Sequence, residues 1–149
     1  MKAVIQRVKH ASVEVDGNIV GKIDRGLLVL LGVEKNDDYA LADKLLNKVL
    51  DYRVFPDDND KMNLSLKNIG GELLVVPQFT VVADTQKGLR PSFSPSAPPD
   101  LGRELYEYWV DEAGKSIRVV ATGQFGADMQ VSLLNDGPVT FILDVAKGA

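Results

Sequence analysis

Apolar and polar residues alternate over Lys2–Val8, with Val4, Gln6 and Val8 on one face and Ala3, Ile5 and Arg7 on the other, the period of a strand. Ser12–Val15 and Ile19–Ile23 flank Asp16-Gly17, a pair that favours a two-residue hairpin turn. Gly26 then opens Leu27-Leu28-Val29-Leu30-Leu31-Gly32-Val33, an unbroken apolar run that predicts a central strand buried on both faces. After Asp37 and Asp38, both good N-caps, the period changes. Leu41, Leu45, Val49 and Tyr52 recur at helical spacing, widened by Leu46 and Leu50, and predict a helix of about fourteen residues.

Pro56–Lys61 holds an acidic cluster, but an EF-hand loop starting at Asp57 would need Gly and Glu where Met62 and Asn68 stand, so it reads as a solvated turn. Glu72–Val76 is a second buried strand, ended by Pro77, which cannot donate to a ladder. The polar stretch from Val81 to Pro99, broken by Gly88 and four prolines, is long enough to suggest a working loop. Asp100 caps a predicted second helix whose Leu101, Leu105, Tyr108 and Trp109 face the core and which Gly114 ends. Ile117–Ala121 reads as a short strand, and Thr122–Met129 as a loop around Phe125. Met129–Leu134 and Val139–Val145 then flank Asn135-Asp136-Gly137-Pro138-Val139-Thr140, which reads as the turn of a closing β-hairpin.

Two helices between strand clusters, without alternating βαβ units, predict an α+β domain with a largely antiparallel sheet. The two apolar strands need cover on both faces, more than two short helices supply, which suggests a homodimer. At 149 residues, 45% hydrophobic and 26% charged, the chain is expected to form one domain, 1–149. No apolar run approaches the roughly 18 residues of a membrane helix, and no signal-peptide core leads the chain, so a cytoplasmic protein is expected.

Composition narrows the chemistry. There is no cysteine, which removes thiol catalysis and thiolate metal sites. The single histidine, His10, ends the first strand pattern with no motif around it and reads as a surface residue, so neither a His-based relay nor a His-rich metal site is expected. A net charge of −4 argues against a non-specific grip on a nucleic-acid backbone, without excluding recognition of an RNA end. Thr80, at the end of a buried strand, is a candidate nucleophile or a backbone-capping residue, and no neighbour offers it a base. What remains is catalysis by fixed backbone: N–H groups at a strand end can hold an oxyanion, and a Gly-Pro turn fixes its carbonyls in one direction. Such a site could hydrolyse an already activated ester.

At these residues the chain resembles the D-aminoacyl-tRNA deacylases, from Met1 through Asp144. The most specific pieces are Gln78-Phe79-Thr80, Phe125-Gly126-Ala127-Asp128-Met129 and Asn135–Thr140, supported by Lys61-Met62-Asn63-Leu64-Ser65 and Gly88–Phe93. The resemblance implies a barrel-like fold with two main helices, and a homodimer with an active site at each interface. It implies hydrolysis of the ester between a D-amino acid, or mischarged glycine, and the tRNA 3′ end, as translation quality control without cofactor, metal, membrane or DNA partner. Gln78, Phe79 and Thr80 would be catalytic, with the RNA 2′-hydroxyl competing with Thr80 as the assisting group. Gly137 and Pro138, joined by a cis peptide and held by Arg7, would reject L-residues across the interface, with Phe125 and Met129 near the substrate. Lys87 and Arg90 would contact tRNA. Three departures stand out: Pro77 where the family has Ser, Gln124 where it has Arg, and Leu89 where a second basic residue is common. They leave open an alternative, a catalytically weakened module that binds the tRNA 3′ end.

Overall fold

A computed structural model describes residues 1–147. The first strand is longer than expected: β1 runs unbroken over Lys2–Val15 and serves two neighbours on one edge. β2 (Asn18–Ile23) returns along its C-terminal half through a turn in which Asp16 and Gly17 both take positive φ, and β3 (Gly26–Gly32) pairs antiparallel with Lys2–Val8. From β3 the chain crosses through α1 (Tyr39–Asp51), a small β4–β5 pair (Phe55–Pro56, Met62–Leu64) and one-turn α2 (Leu66–Ile69) to β6 (Glu72–Pro77). It crosses again through α3 (Pro99–Ala113) to β7 (Val120–Thr122). β3, β6 and β7 are parallel, so the absence of βαβ units expected from sequence is corrected: an α+β sheet of mostly antiparallel pairs carries two helical crossovers.

Local chemistry fixes these elements. Asp38 caps α1 by accepting from the Leu41 N–H at 2.9 Å, and Leu41, Leu45 and Val49 face the core. Asp37 instead binds the Met1 ammonium at 2.9 Å. Asp57 closes its turn by accepting from the Asn59 and Lys61 amides and from Asn63 Nδ2. Ser65 and Asn68 form a capping box around α2, an element absent from the sequence reading. Pro99 starts α3, so Asp100 lies in the first turn rather than at the cap; Tyr108 packs on the core in part, as expected, and Tyr106 is buried beside it.

The apolar strands are covered on both sides without a partner. Leu27, Val29, Leu73 and Val75 pack with Leu45, Val49, Leu105 and Trp109 beneath the helices. Leu28, Leu74 and Val76 point the other way, into a second core with Val8, Val13 and Ile23. That inner core exists because the sheet curls until β2 nears β7, where Gly21 lies against the Thr122 carbonyl with no room for a side chain. Burial on two faces therefore gives no ground for a dimer, which is a correction to the sequence argument.

The closing segment differs most. β8 (Gln130–Asp144) is one strand whose two halves both pair antiparallel with β1, from Glu14–Gln130 to Lys2–Asp144. The expected hairpin at Asn135–Thr140 is thus an outward loop within a single strand. Between the Gln6–Thr140 and Val8–Asn135 pairs, β1 advances two residues and β8 five. A hairpin and a wide bulge share the same local signals of two apolar runs around Gly and Pro; only the pairing partner separates them.

Candidate active site

β6 ends at Pro77, and the Gln78 N–H closes the register by donating to the Leu31 carbonyl at 2.9 Å. The chain then tightens into a 3₁₀ turn, Phe79–Val82. The first N–H groups of such a turn have no partner inside it. Among the described residues, neither the Phe79 nor the Thr80 amide finds another acceptor, whereas the Val81 amide donates to the Gln78 carbonyl at 3.3 Å. Gln78 Nε2 donates to Thr80 Oγ1 at 2.8 Å, which fixes the hydroxyl beside those two amides. No carboxylate or amine is bonded to that hydroxyl among the described residues.

Beside this turn lies a pocket of about 360 Å³. Pro77, Gln78 and Phe79 form one wall, Ala97 and Gly102 another, and Tyr106 and Phe125 a third. The lining is mainly apolar, as small-molecule sites are, with few polar groups to fix orientation. Phe79 stays exposed at the mouth, edge-on to Phe93 with ring centroids 5.1 Å apart. Tyr106 is buried and donates to the Val75 carbonyl at 3.3 Å; burial pushes its phenol up to about 12. It is protonated at neutral pH and is no proton shuttle there. Tyr106, Gly102 and Ala97 were missed from sequence; a small residue one turn before an aromatic on the same helix face is the signal that could have found them.

The other sequence candidates fall in three places. Met129 does not line the pocket: its sulfur packs against Gly123 and accepts from the Gln124 N–H at 3.3 Å, behind the loop that presents Phe125. Lys87 and Arg90 are exposed on the loop between β6 and α3, which the Asp84–Ser92 backbone pair pinches at its base. Gly137 and Pro138, joined by a cis peptide, are exposed on the β8 loop and are not part of this pocket's wall. Arg7 stands opposite that loop on β1, where its Nε donates to the Asp136 carbonyl at 2.9 Å and its Nη1 to the Val54 carbonyl at 2.7 Å. Asn135 closes the loop's neck, accepting from the Val139 N–H at 2.9 Å.

Comparison with known proteins bears on this arrangement. The family described as D-Tyr-tRNA(Tyr) deacylase matches residues 4–144. A D-aminoacyl-tRNA deacylase of Histophilus somni strain 2336 is 65% identical over 145 residues, covering 97% of this chain and 100% of the relative. Among solved structures, the c-Myc DNA Unwinding Element Binding Protein aligns with a TM-score of 0.94 at 38% identity, covering 98% of this chain and 99% of the other. A probable eukaryotic D-amino acid tRNA deacylase shares the fold, with a TM-score of 0.83 at 17% identity over 97% of this chain and 98% of the other.

Proposed function

The chain belongs to the D-Tyr-tRNA(Tyr) deacylase family, and from that premise we propose that it hydrolyses the ester joining a D-amino acid, or mischarged glycine, to the 3′-terminal adenosine of tRNA. The products are free amino acid and tRNA. The observation that carries the reading is the pair of amides at Phe79 and Thr80, unbonded among the described residues, on a turn whose Phe79, but not Thr80, lines a pocket with no group that titrates near neutral pH. A flat purine suits the aromatic and apolar walls, and the ester then lies at the rim.

In this mechanism water adds to the ester carbonyl carbon, and the carbonyl electron pair moves onto an oxygen held by the two N–H groups. Each such donor contributes on the order of 10²–10³ in rate. Collapse breaks the bond to the ribose 3′-oxygen, which takes up a proton. With no protein base bonded to the Thr80 hydroxyl among the described residues, the vicinal 2′-hydroxyl of the RNA is the proton relay, and the hydroxyl that Gln78 holds at Thr80 is a polar support.

Selectivity comes from the Gly137-Pro138 loop of a second subunit, whose carbonyls leave no room for an L side chain. Three features support a homodimer of this kind. β8 pairs only with β1 among the described residues, so its outer edge is free along the whole strand. Leu134 and Ile142 are exposed on it. The loop also lies outside its own chain's pocket wall. Lys87 and Arg90 would meet tRNA phosphates from their exposed loop. Residues 1–149 act as one domain, and a tRNA substrate puts the protein in the cytoplasm; among the described residues no helix is long and apolar enough to cross a membrane.

Pro77 favours a second reading, a module that binds the tRNA 3′ end with weakened catalysis, because it brings neither hydroxyl nor N–H to the pocket wall. Single-turnover deacylation of D-aminoacyl-tRNA at micromolar protein separates the two. Ester loss supports the hydrolase, and binding without loss supports the module.

A further inference from the structure

The wall formed by Tyr106 and Phe125 has a second side. It faces a neighbouring polar cleft of about 290 Å³, edged by Arg103, Glu107 and Asp111 on α3 and by Gln124 on the opposite loop. The Arg103 guanidinium lies over the Phe125 ring, 4.9 Å from its centroid. Its side chain is 56% exposed, so the guanidinium remains accessible from solvent. Glu107 reaches it at only 3.8 Å, a loose pair that leaves the carboxylate free to accept elsewhere. Gln124 spends its backbone N–H on the Met129 sulfur, and its side-chain amide is unbonded among the described residues.

From these features, and resting on the function proposed above, we infer that the cleft is the subsite for the nucleotide on the 5′ side of the terminal adenosine, and that it selects cytosine, the base tRNA carries there. Two cavities sharing one aromatic wall suit two consecutive nucleotides of a single strand. Unpaired bases are held by stacking on aromatic rings or guanidinium planes, and Arg103 offers such a plane. A base edge fits this cleft better than a phosphate, because two carboxylates would repel an anion. Cytosine presents an amino donor beside two acceptors. Glu107 or Asp111 accepts from the amino group, and the Gln124 amide donates to the ring acceptors. Uracil reverses the donor and acceptor at two of these positions and leaves a carboxylate facing a carbonyl.

Non-hydrolysable 3′-amide analogues carrying D-tyrosine on adenosine alone, on CpA and on UpA test this by calorimetry. CpA is expected to bind about tenfold tighter than adenosine, the scale of one stacked base, and UpA clearly less tightly than CpA, because uracil keeps the stack but sets a carbonyl against a carboxylate. Arg103→Ala should remove most of the CpA gain, as should Arg103→Lys, which keeps the charge but not the plane. Gln124→Ala should reduce the preference for C over U, leaving the part that the carboxylates carry. Equal binding of CpA and UpA, or a loss on Arg103→Ala that is as large for adenosine as for CpA, overturns the subsite. If adenosine binds and CpA binds no tighter, only the subsite falls; if no analogue binds, the proposed function falls with it.

Discussion

Arg7 Nε donates to the Asp136 carbonyl at 2.9 Å, tying β1 to the residue that precedes Gly137. The same guanidinium donates to the Val54 carbonyl at 2.7 Å, so one side chain anchors the β8 loop to the segment after α1. A lysine has no second planar donor with which to serve both carbonyls. Arg7→Lys should leave one carbonyl unpaired in a part-buried setting and Arg7→Ala both, at about 1–3 kcal/mol for each carbonyl. They should also reduce discrimination between D- and L-aminoacyl-tRNA by roughly tenfold or more, read as the ratio of kcat/KM values, since 1.4 kcal/mol is a factor of ten. An unchanged ratio would detach the loop from selectivity.

Gly137 takes φ +141°, a conformation L side chains rarely adopt, and an added Cβ would lie 3.2 Å from Arg7 Nη2. Gly137→Ala is therefore expected to lower stability by about 1 kcal/mol and to displace the loop. Urea unfolding and the D/L ratio should move together. A stable variant with intact discrimination would count against the loop as a wall.

Thr80→Ala removes the hydroxyl held by Gln78 and leaves the Phe79 and Thr80-position amides in place. If backbone donors carry catalysis, single-turnover rates should fall less than about tenfold. A loss beyond about 10³ would point to a hydroxyl nucleophile.

Much of this was readable from local sequence, for identifiable reasons. Asp16-Gly17 specifies its turn by backbone preference, and the α1 stripe by period and cap, so both needed no tertiary information. The β8 loop did not have that property. Its flanks look the same whether they pair with each other or, as here, with β1, and that choice is made far away in sequence. The parallel β3–β6–β7 order was hidden because the β4–β5 pair, α2 and the loop before α3 interrupt the strand–helix alternation. Of Gln78, Phe79 and Thr80, singled out through motif resemblance, the first two line the pocket and Thr80 lies beside it in sequence. Tyr106 and Gly102 were not singled out, because the stripe of Leu101, Leu105, Tyr108 and Trp109, which does pack on the core, left the neighbouring positions that line the pocket unread.

Asp38 gives a pH prediction. Its carboxyl is held below the usual carboxylate range, first by the Leu41 N–H and then by Lys147, 3.2 Å away. Because the folded pKa is the lower one, its contribution is complete above the unfolded value of about 3.9 and is lost as pH falls through the folded value. Asp38→Ala should lower Tm at pH 7 and make progressively less difference in acid. An equal Tm deficit at pH 7 and at pH 2 would contradict this.

Hydrolysis of D-Tyr-tRNA and L-Tyr-tRNA by the same preparation, followed side by side as ester loss, tests the central claim most directly. A fixed backbone wall predicts that the D-ester is cleaved at least about a hundredfold faster in kcat/KM, which corresponds to roughly 2.8 kcal/mol of discrimination. Equal rates for the two esters, or a D-ester that survives, would contradict the account.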